Sequence, residues 1–199
     1  MMKKQWIVIC LAAAVVSLGV TGPAWSQAPS KEAMQRGMQA QQKNMSMMTP
    51  DVLEKANALS PEIKQFLLKV AANHSRHSET LTMVQVMQEM LADYQAVGAA
   101  IATDNGEQAA DAARRIADHR LPRGGMLPYL PLEKVNTKDL SVLPAMEMAV
   151  EGSAKRLAAA AEKGDMAGAA EQFGTMTSGC VACHAHFRGQ PGTTPRLKK

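Results

Sequence analysis

The chain has 199 residues, 46% of them hydrophobic and 20% charged, with a formal net charge of +4. That length and apolar content suit one globular domain and exclude a disordered chain. Three Cys are too few for a disulfide scaffold, and fifteen Met against seven aromatic residues argue against an all-β sandwich or barrel.

Residues 1–26 follow the pattern of a secretory signal peptide. Lys3 and Lys4 form a basic start, and residues 6–20 are an apolar run too short for a comfortable membrane span. Gly22-Pro23 breaks the run, and Ala24-Trp25-Ser26 offers the small residues that a signal peptidase reads. Cys10 sits mid-run after Ile9, which does not fit a lipoprotein anchor. Cleavage after Ser26 removes Cys10 and both Trp residues, leaving Cys180 and Cys183 as one close pair. It also takes the basic residues from 22 to 20 against 18 acidic ones, a net charge of +2. That balance leaves no nucleic-acid footprint. The expected location is periplasmic, with no membrane span after cleavage.

Residues 27–75 read as an N-terminal extension, partly helical. A polar, Gln-rich helix is expected over 30–44, broken by Met45-Ser46-Met47-Met48-Thr49-Pro50. Met34, Met38, Met45, Met47 and Met48 form a thioether cluster whose soft sulfurs suit Cu(I), although ordinary packing is the plainer reading. Ser60-Pro61-Glu62 starts a helix that runs to Asn73. His74 and His77 read as surface residues or caps. A long helix over about 78–103 then places Met83, Met87, Met90, Tyr94, Val97 and Ile101 on one bundle seam.

Asp104-Asn105-Gly106-Glu107 makes a tight connection with capping-box spacing and opens a helix to about His119. There the helix dipole favours an imidazolium. Pro122, Gly124, Gly125, Pro128 and Pro131 mark 121–136 as a long crossover without regular structure. A third helix over about 138–163 carries Met146, Val150, Ala154, Leu157 and Ala161 on one stripe. After Gly164-Asp165 the last helix sets Met166, Ala169, Phe173, Met176, Cys180, Cys183 and Phe187 on another. Residues 190–199, rich in Gly, Pro and Thr with basic residues, are expected to form a flexible tail. The pattern predicts an all-α protein, an antiparallel four-helix bundle over 76–189.

Cys180-Val181-Ala182-Cys183-His184 is the strongest chemical signal. C-x-x-C-H is the c-type haem attachment spacing. On a helix, residues i, i+3 and i+4 project from one side, so two thiols can bond the haem vinyl carbons while the imidazole reaches the iron. Two rivals are weaker. A redox-active C-x-x-C pair wants a helix N-terminus, whereas this pair lies near a C-terminus, which raises thiol pKa values. Zinc needs two further ligands, and only His186 is near.

Residues 180–188, C-V-A-C-H-A-H-F-R, resemble the C-x-x-C-H-x-x-(Phe/Tyr)-Arg ending of class II c-type cytochromes, the cytochrome c-prime superfamily. The likeness covers about 76–189; the N-terminal extension departs from the usual family length. It implies a four-helix bundle with one covalently attached haem c near the C-terminus. His184 is then the proximal iron ligand, Cys180 and Cys183 are the thioether anchors, and Arg188 lies beside the haem's exposed face. Phe187 reads as seam packing and His186 as exposed on the other face.

Some members of that superfamily leave the sixth iron position empty and bind small gases, while low-spin relatives supply a Met sulfur from the first bundle helix. Met87 is the expected distal ligand here, with Met83 and Met90 as alternatives. A Met/His pair raises the potential and suits electron transfer. The expected function is single-electron transfer with an unidentified periplasmic redox partner. The alternative is a five-coordinate protein that binds nitric oxide or other diatomic gases. Class II relatives often pair through their first two helices, so a homodimer is compatible. No Ser/His/Asp arrangement, phosphate loop or paired-carboxylate signature points to an enzyme.

Overall fold

The computed structural model describes residues 29–187. The expected signal peptide, Cys10, Arg188 and the tail lie outside these residues. Helix α1 spans Lys31–Met47, with the Ser30 hydroxyl accepting from the Ala33 N–H at 3.2 Å. It runs through the expected break at Met45-Ser46. Pro50 does not end a helix but begins one: α2, Pro50–Asn57, occupies a stretch with no helix expected, because Pro fits a first turn without loss of a hydrogen bond. Helix α3, Pro61–Asn73, starts at Pro61 as predicted and is capped by Ser60. At Gly37 of α1 an added Cβ would lie 2.9 Å from the Ala72 backbone, so glycine sets how closely α1 and α3 cross.

Helix α4, Met83–Ala102, begins later than the seam suggested. The Gln85 side chain accepts from the Thr82 N–H at 2.8 Å and closes the first turn. The preceding residues are committed elsewhere. Ser78 N–H donates to the Leu121 carbonyl at 2.9 Å, Leu121 N–H to Arg76 at 2.8 Å, and Arg123 N–H to Leu81 at 2.9 Å. Helix α5, Gly106–Ala117, opens at the predicted turn, with the Asn105 side chain accepting from the Gln108 N–H at 3.0 Å.

The crossover carries two 3-10 turns, Leu127–Tyr129 and Leu132–Lys134. The expected third helix is in pieces. They are α6, Thr137–Leu140, α7, Leu143–Glu147, a π turn at Met148–Gly152, and α8, Ser153–Ala161. Helix α9, Met166–Phe187, runs to the end of the described residues.

The protein is an all-α helical bundle, without a strand among the described residues. Helices α4, α5, α8 and α9 pack side by side, α5 between α4 and α8, and α9 against α8 and α4. Their core is built from Ala109, Ala112, Ala113, Ala154 and Ala169, with Val97, Leu157 and Met176 as the larger fully buried residues. Small side chains draw the axes together: at Gly106 a Cβ would lie 2.6 Å from the Ala161 carbonyl oxygen.

A second core lies outside this Ala-rich one. Val52 of α2, Leu59 between α2 and α3 and Ile63 of α3 meet Leu127 and Val135 of the crossover and Leu140 of α6, and Phe187 closes it from the end of α9. Met48 is buried there, whereas Met38 is 52% exposed. Met48 and Met38 of the expected thioether cluster thus lie in different surroundings.

Three charged or titratable groups join these parts. His74, which caps α3, is not a surface residue but 3% exposed. Its Nε2 lies 3.4 Å from Glu151 Oε1 in the π turn, and His119 Nε2, just past α5, lies 3.5 Å from the same oxygen. Burial works against charge on Glu151, but the facing imidazoles of His119 and His74 outweigh it and hold its carboxyl at about 2. Burial likewise opposes charge on His74, yet Glu151 and the Val70 carbonyl raise its pKa above the ordinary value.

The signs follow from linkage. Glu151 contributes stability that is present above pH 4.5 and lost as pH falls toward about 2. His74 contributes stability that is full below pH 6.5 and lost as pH rises through its elevated folded value. In chelator-containing buffer the urea midpoint is therefore expected to be highest between these limits. Glu151→Gln should lower stability by about 3 kcal/mol, the scale for removing one partner of a buried ion pair. It should also remove this part of the acid-side decline; an unchanged pH profile would contradict the pairing.

Candidate functional site

The last turns of α9 bridge the two cores. Met176, fully buried in the Ala-rich core, lies one turn before Cys180, and Phe187 in the second core lies one turn after Cys183. Cys180 and Cys183 are free thiols, both half-buried, and Cys183 packs against the second core. Gly179 seats this part of the helix. An added Cβ would lie 2.9 Å from both Ala149 Cβ and Val150 Cγ2 of the π turn. His184 is exposed, as is Val181 at 63%.

Burial pushes both thiols above their ordinary pKa, and the charge of Cys180 raises Cys183 further. The direction matches the expectation from the helix C-terminus, but burial is the cause. Such thiols are protonated at neutral pH, unlike the thiolates of disulfide exchange. His186, expected to be exposed, is half-buried. Its Nε2 lies 3.4 Å from Asp139 Oδ1, and its ring meets Phe187 edge-on at 4.6 Å. The side chains of Asn136 and Lys134 hold Asp139 below the usual carboxylate range. His186 thus ties α9 to α6.

Across the bundle, Tyr94 stacks on Phe173 with ring centroids 4.6 Å apart and hydrogen-bonds Thr177 Oγ1 at 2.9 Å. At Gly98 an added Cβ would lie 3.3 Å from the same Phe173. Helices α4 and α9 are therefore antiparallel, with four residues forward in one matching four back in the other. Met83 and Met87 are half-buried, and Met90 packs against the Ala-rich core. Sequence reasoning missed two sulfurs, Met126 and Met146, which pack against the same core as Cys183. Met146 was visible on a helix stripe, but nothing in its spacing pointed to Cys183.

The donor set fits a covalently attached haem. Two free thiols three residues apart lie beside an apolar wall, and one residue on is an exposed imidazole that makes no hydrogen bond or ion pair among the described residues. Gly179→Val should overfill the contact with the π turn and cost about 1–3 kcal/mol in urea denaturation. A neutral result would show that α9 is not seated there.

Residues 138–188, about a quarter of the chain, match the family model described as Cytochrome C'. No curated protein and no solved structure matches the chain. The matched stretch runs from α6 to just past the end of α9, and it contains Cys180, Cys183 and His184. Covalently bound haem c is what this family implies. The match, with the all-α bundle that carries it, supports a class II c-type cytochrome of the cytochrome c-prime superfamily.

Proposed function

We propose that the chain is an exported monohaem cytochrome that carries single electrons. Cys180 and Cys183 are its thioether anchors, His184 the proximal iron ligand and Met87 the sixth ligand. Haem supplies the one-electron iron couple. The chain sets how that couple is ligated and how dry it is kept. The cation of Arg188, beyond the described residues, is assigned to the haem's exposed face, where it meets a periplasmic redox partner. The basic start and apolar run of residues 1–26 support export. No helix among the described residues is long and apolar enough to cross a membrane.

The observation that carries the choice of Met87 is the register of α4 against α9. Two turns back from the Tyr94–Thr177 hydrogen bond in α4, and two turns on in α9, Met87 and His184 fall level. Met83 and Met90 fall one turn to either side. Met87 and His184 together would hold the iron with one thioether and one imidazole, a pair that raises the potential and suits a carrier.

Optical spectra test this reading. The expected result is a low-spin spectrum with a Met–iron charge-transfer band, lost in Met87→Ala and kept in Met83→Ala and Met90→Ala. A ferrous protein that is high-spin and rapidly binds carbon monoxide would overturn it in favour of a five-coordinate protein binding nitric oxide or similar gases. Separately, the double variant Cys180→Ala, Cys183→Ala should show no haem staining after denaturing electrophoresis. Persistent staining there would refute the attachment.

A further inference from the structure

The group of His74, His119 and Glu151 has no part in holding haem, and its three ligand atoms all lie within 4.8 Å of one another. Two imidazoles and a carboxylate are a donor set used for zinc and for related divalent transition metals. Their orientation is specific. His74 Nδ1 lies 2.8 Å from the Val70 carbonyl oxygen, and His119 Nδ1 lies 3.0 Å from that of Arg120. Each Nδ1–H donates to a backbone acceptor, so in the neutral imidazole, the form that binds a metal, Nε2 carries the lone pair and faces Glu151. This is how ligating imidazoles are usually held.

Two atoms in the group lack a hydrogen-bond partner, although His74 Nε2 makes the 3.4 Å ion-pair contact with Glu151 Oε1 described above. They are His74 Nε2 and Glu151 Oε2, buried in side chains only 1% and 9% exposed. Orphaned polar atoms of this kind are rare and costly in a folded interior. A cation between the three residues would satisfy both at once.

The backbone is built to bring the residues together. The strand-like pairing of 76–81 with 121–123 sets the segment after His74 beside the segment after His119. Ser75, next to His74, donates its N–H at 2.8 Å to Oδ1 of Asp118, which is next to His119. Glu151 comes from the π turn, a local irregularity that is frequent at functional sites. Glu147, one turn earlier in the chain at the end of α7, is a second half-buried carboxyl on this stretch.

We propose that His74, His119 and Glu151 form a binding site for one divalent transition-metal ion of the zinc class. The ion clamps the end of α3 and the end of α5 to the π turn. This inference is independent of the haem and of its sixth ligand.

The test uses the haem-loaded protein, stripped with chelator and titrated with Zn2+ by calorimetry. One Zn2+ per chain is expected, and zinc-edge X-ray absorption should show only N/O neighbours at about 2.0–2.1 Å with scattering from two imidazoles. His119→Gln, at the more exposed of the two His positions, should weaken binding by at least the roughly 10–100-fold that loss of even an outer-shell partner causes. His186→Gln should bind as the parent does. Haem absorbance and circular dichroism check that each variant is folded, and if His119→Gln is not, the absorption spectrum of the parent decides alone. No bound Zn2+, a sulfur neighbour, fewer than two imidazoles, or undiminished binding by folded His119→Gln would each overturn the proposal.

Discussion

One helix has to serve two cores, and most of the architecture follows from that requirement. Along α9, Ala169 and Met176 are buried against the Ala-rich bundle, whereas Phe187 is buried among Leu, Ile and Val from the N-terminal helices and the crossover. The C-x-x-C-H segment falls where the helix passes from one core to the other. A position wholly inside the bundle would leave no room for a macrocycle, because Ala and Gly there draw the backbones together. A position past the second core would leave the thiols in water. At the boundary the thiols are half-buried and the imidazole is open.

The same boundary gives the N-terminal portion a role. Val52, Leu59 and Ile63 supply much of the bulk that the bundle lacks on that side. The aromatic-poor composition is consistent with this division of labour. Tyr94 and Phe173 stack at the α4–α9 contact, Phe66 and Phe187 belong to the second core, and Tyr129 anchors the crossover through its hydrogen bond to the Arg123 carbonyl at 3.0 Å. Methionine and alanine fill the rest, which suits irregular gaps around a flat group better than a rigid aromatic core does.

Much of this was legible in the sequence. Local structure was legible: the Pro61 start, the turn at 104–107 and the whole of α9 depend on residues within a few positions of each other, although the cap there is Asn105 on Gln108 rather than the Asp104–Glu107 spacing. Features set by distant contacts were not. Helix α4 starts at Met83 because residues 76–81 pair with 121–123, and no periodicity near Ser78 reports that pairing. Helix α2 was missed because Pro50 was taken as a breaker when it occupies a first turn. His186 looked exposed from helix phase alone, but Asp139, more than forty residues earlier, draws it in. The His74–His119–Glu151 group was invisible for the same reason, its members being far apart in the chain. The one local hint was a carboxylate at Glu151 between the stripe residues Val150 and Ala154.

The two cores also differ in how much chain must be closed to complete them. The Ala-rich core is made by helices from α4 onward, whereas the second needs Met48 and Phe187, the first and last of its buried residues, in one cluster. The entropy of closing a loop grows only as the logarithm of its length, but contacts of long sequence separation form slowly. In kinetic terms the bundle can assemble while the second core is still open. The thiol of Cys183 belongs to the late core, so the proposed haem attachment would have its opening before the N-terminal helices close over it.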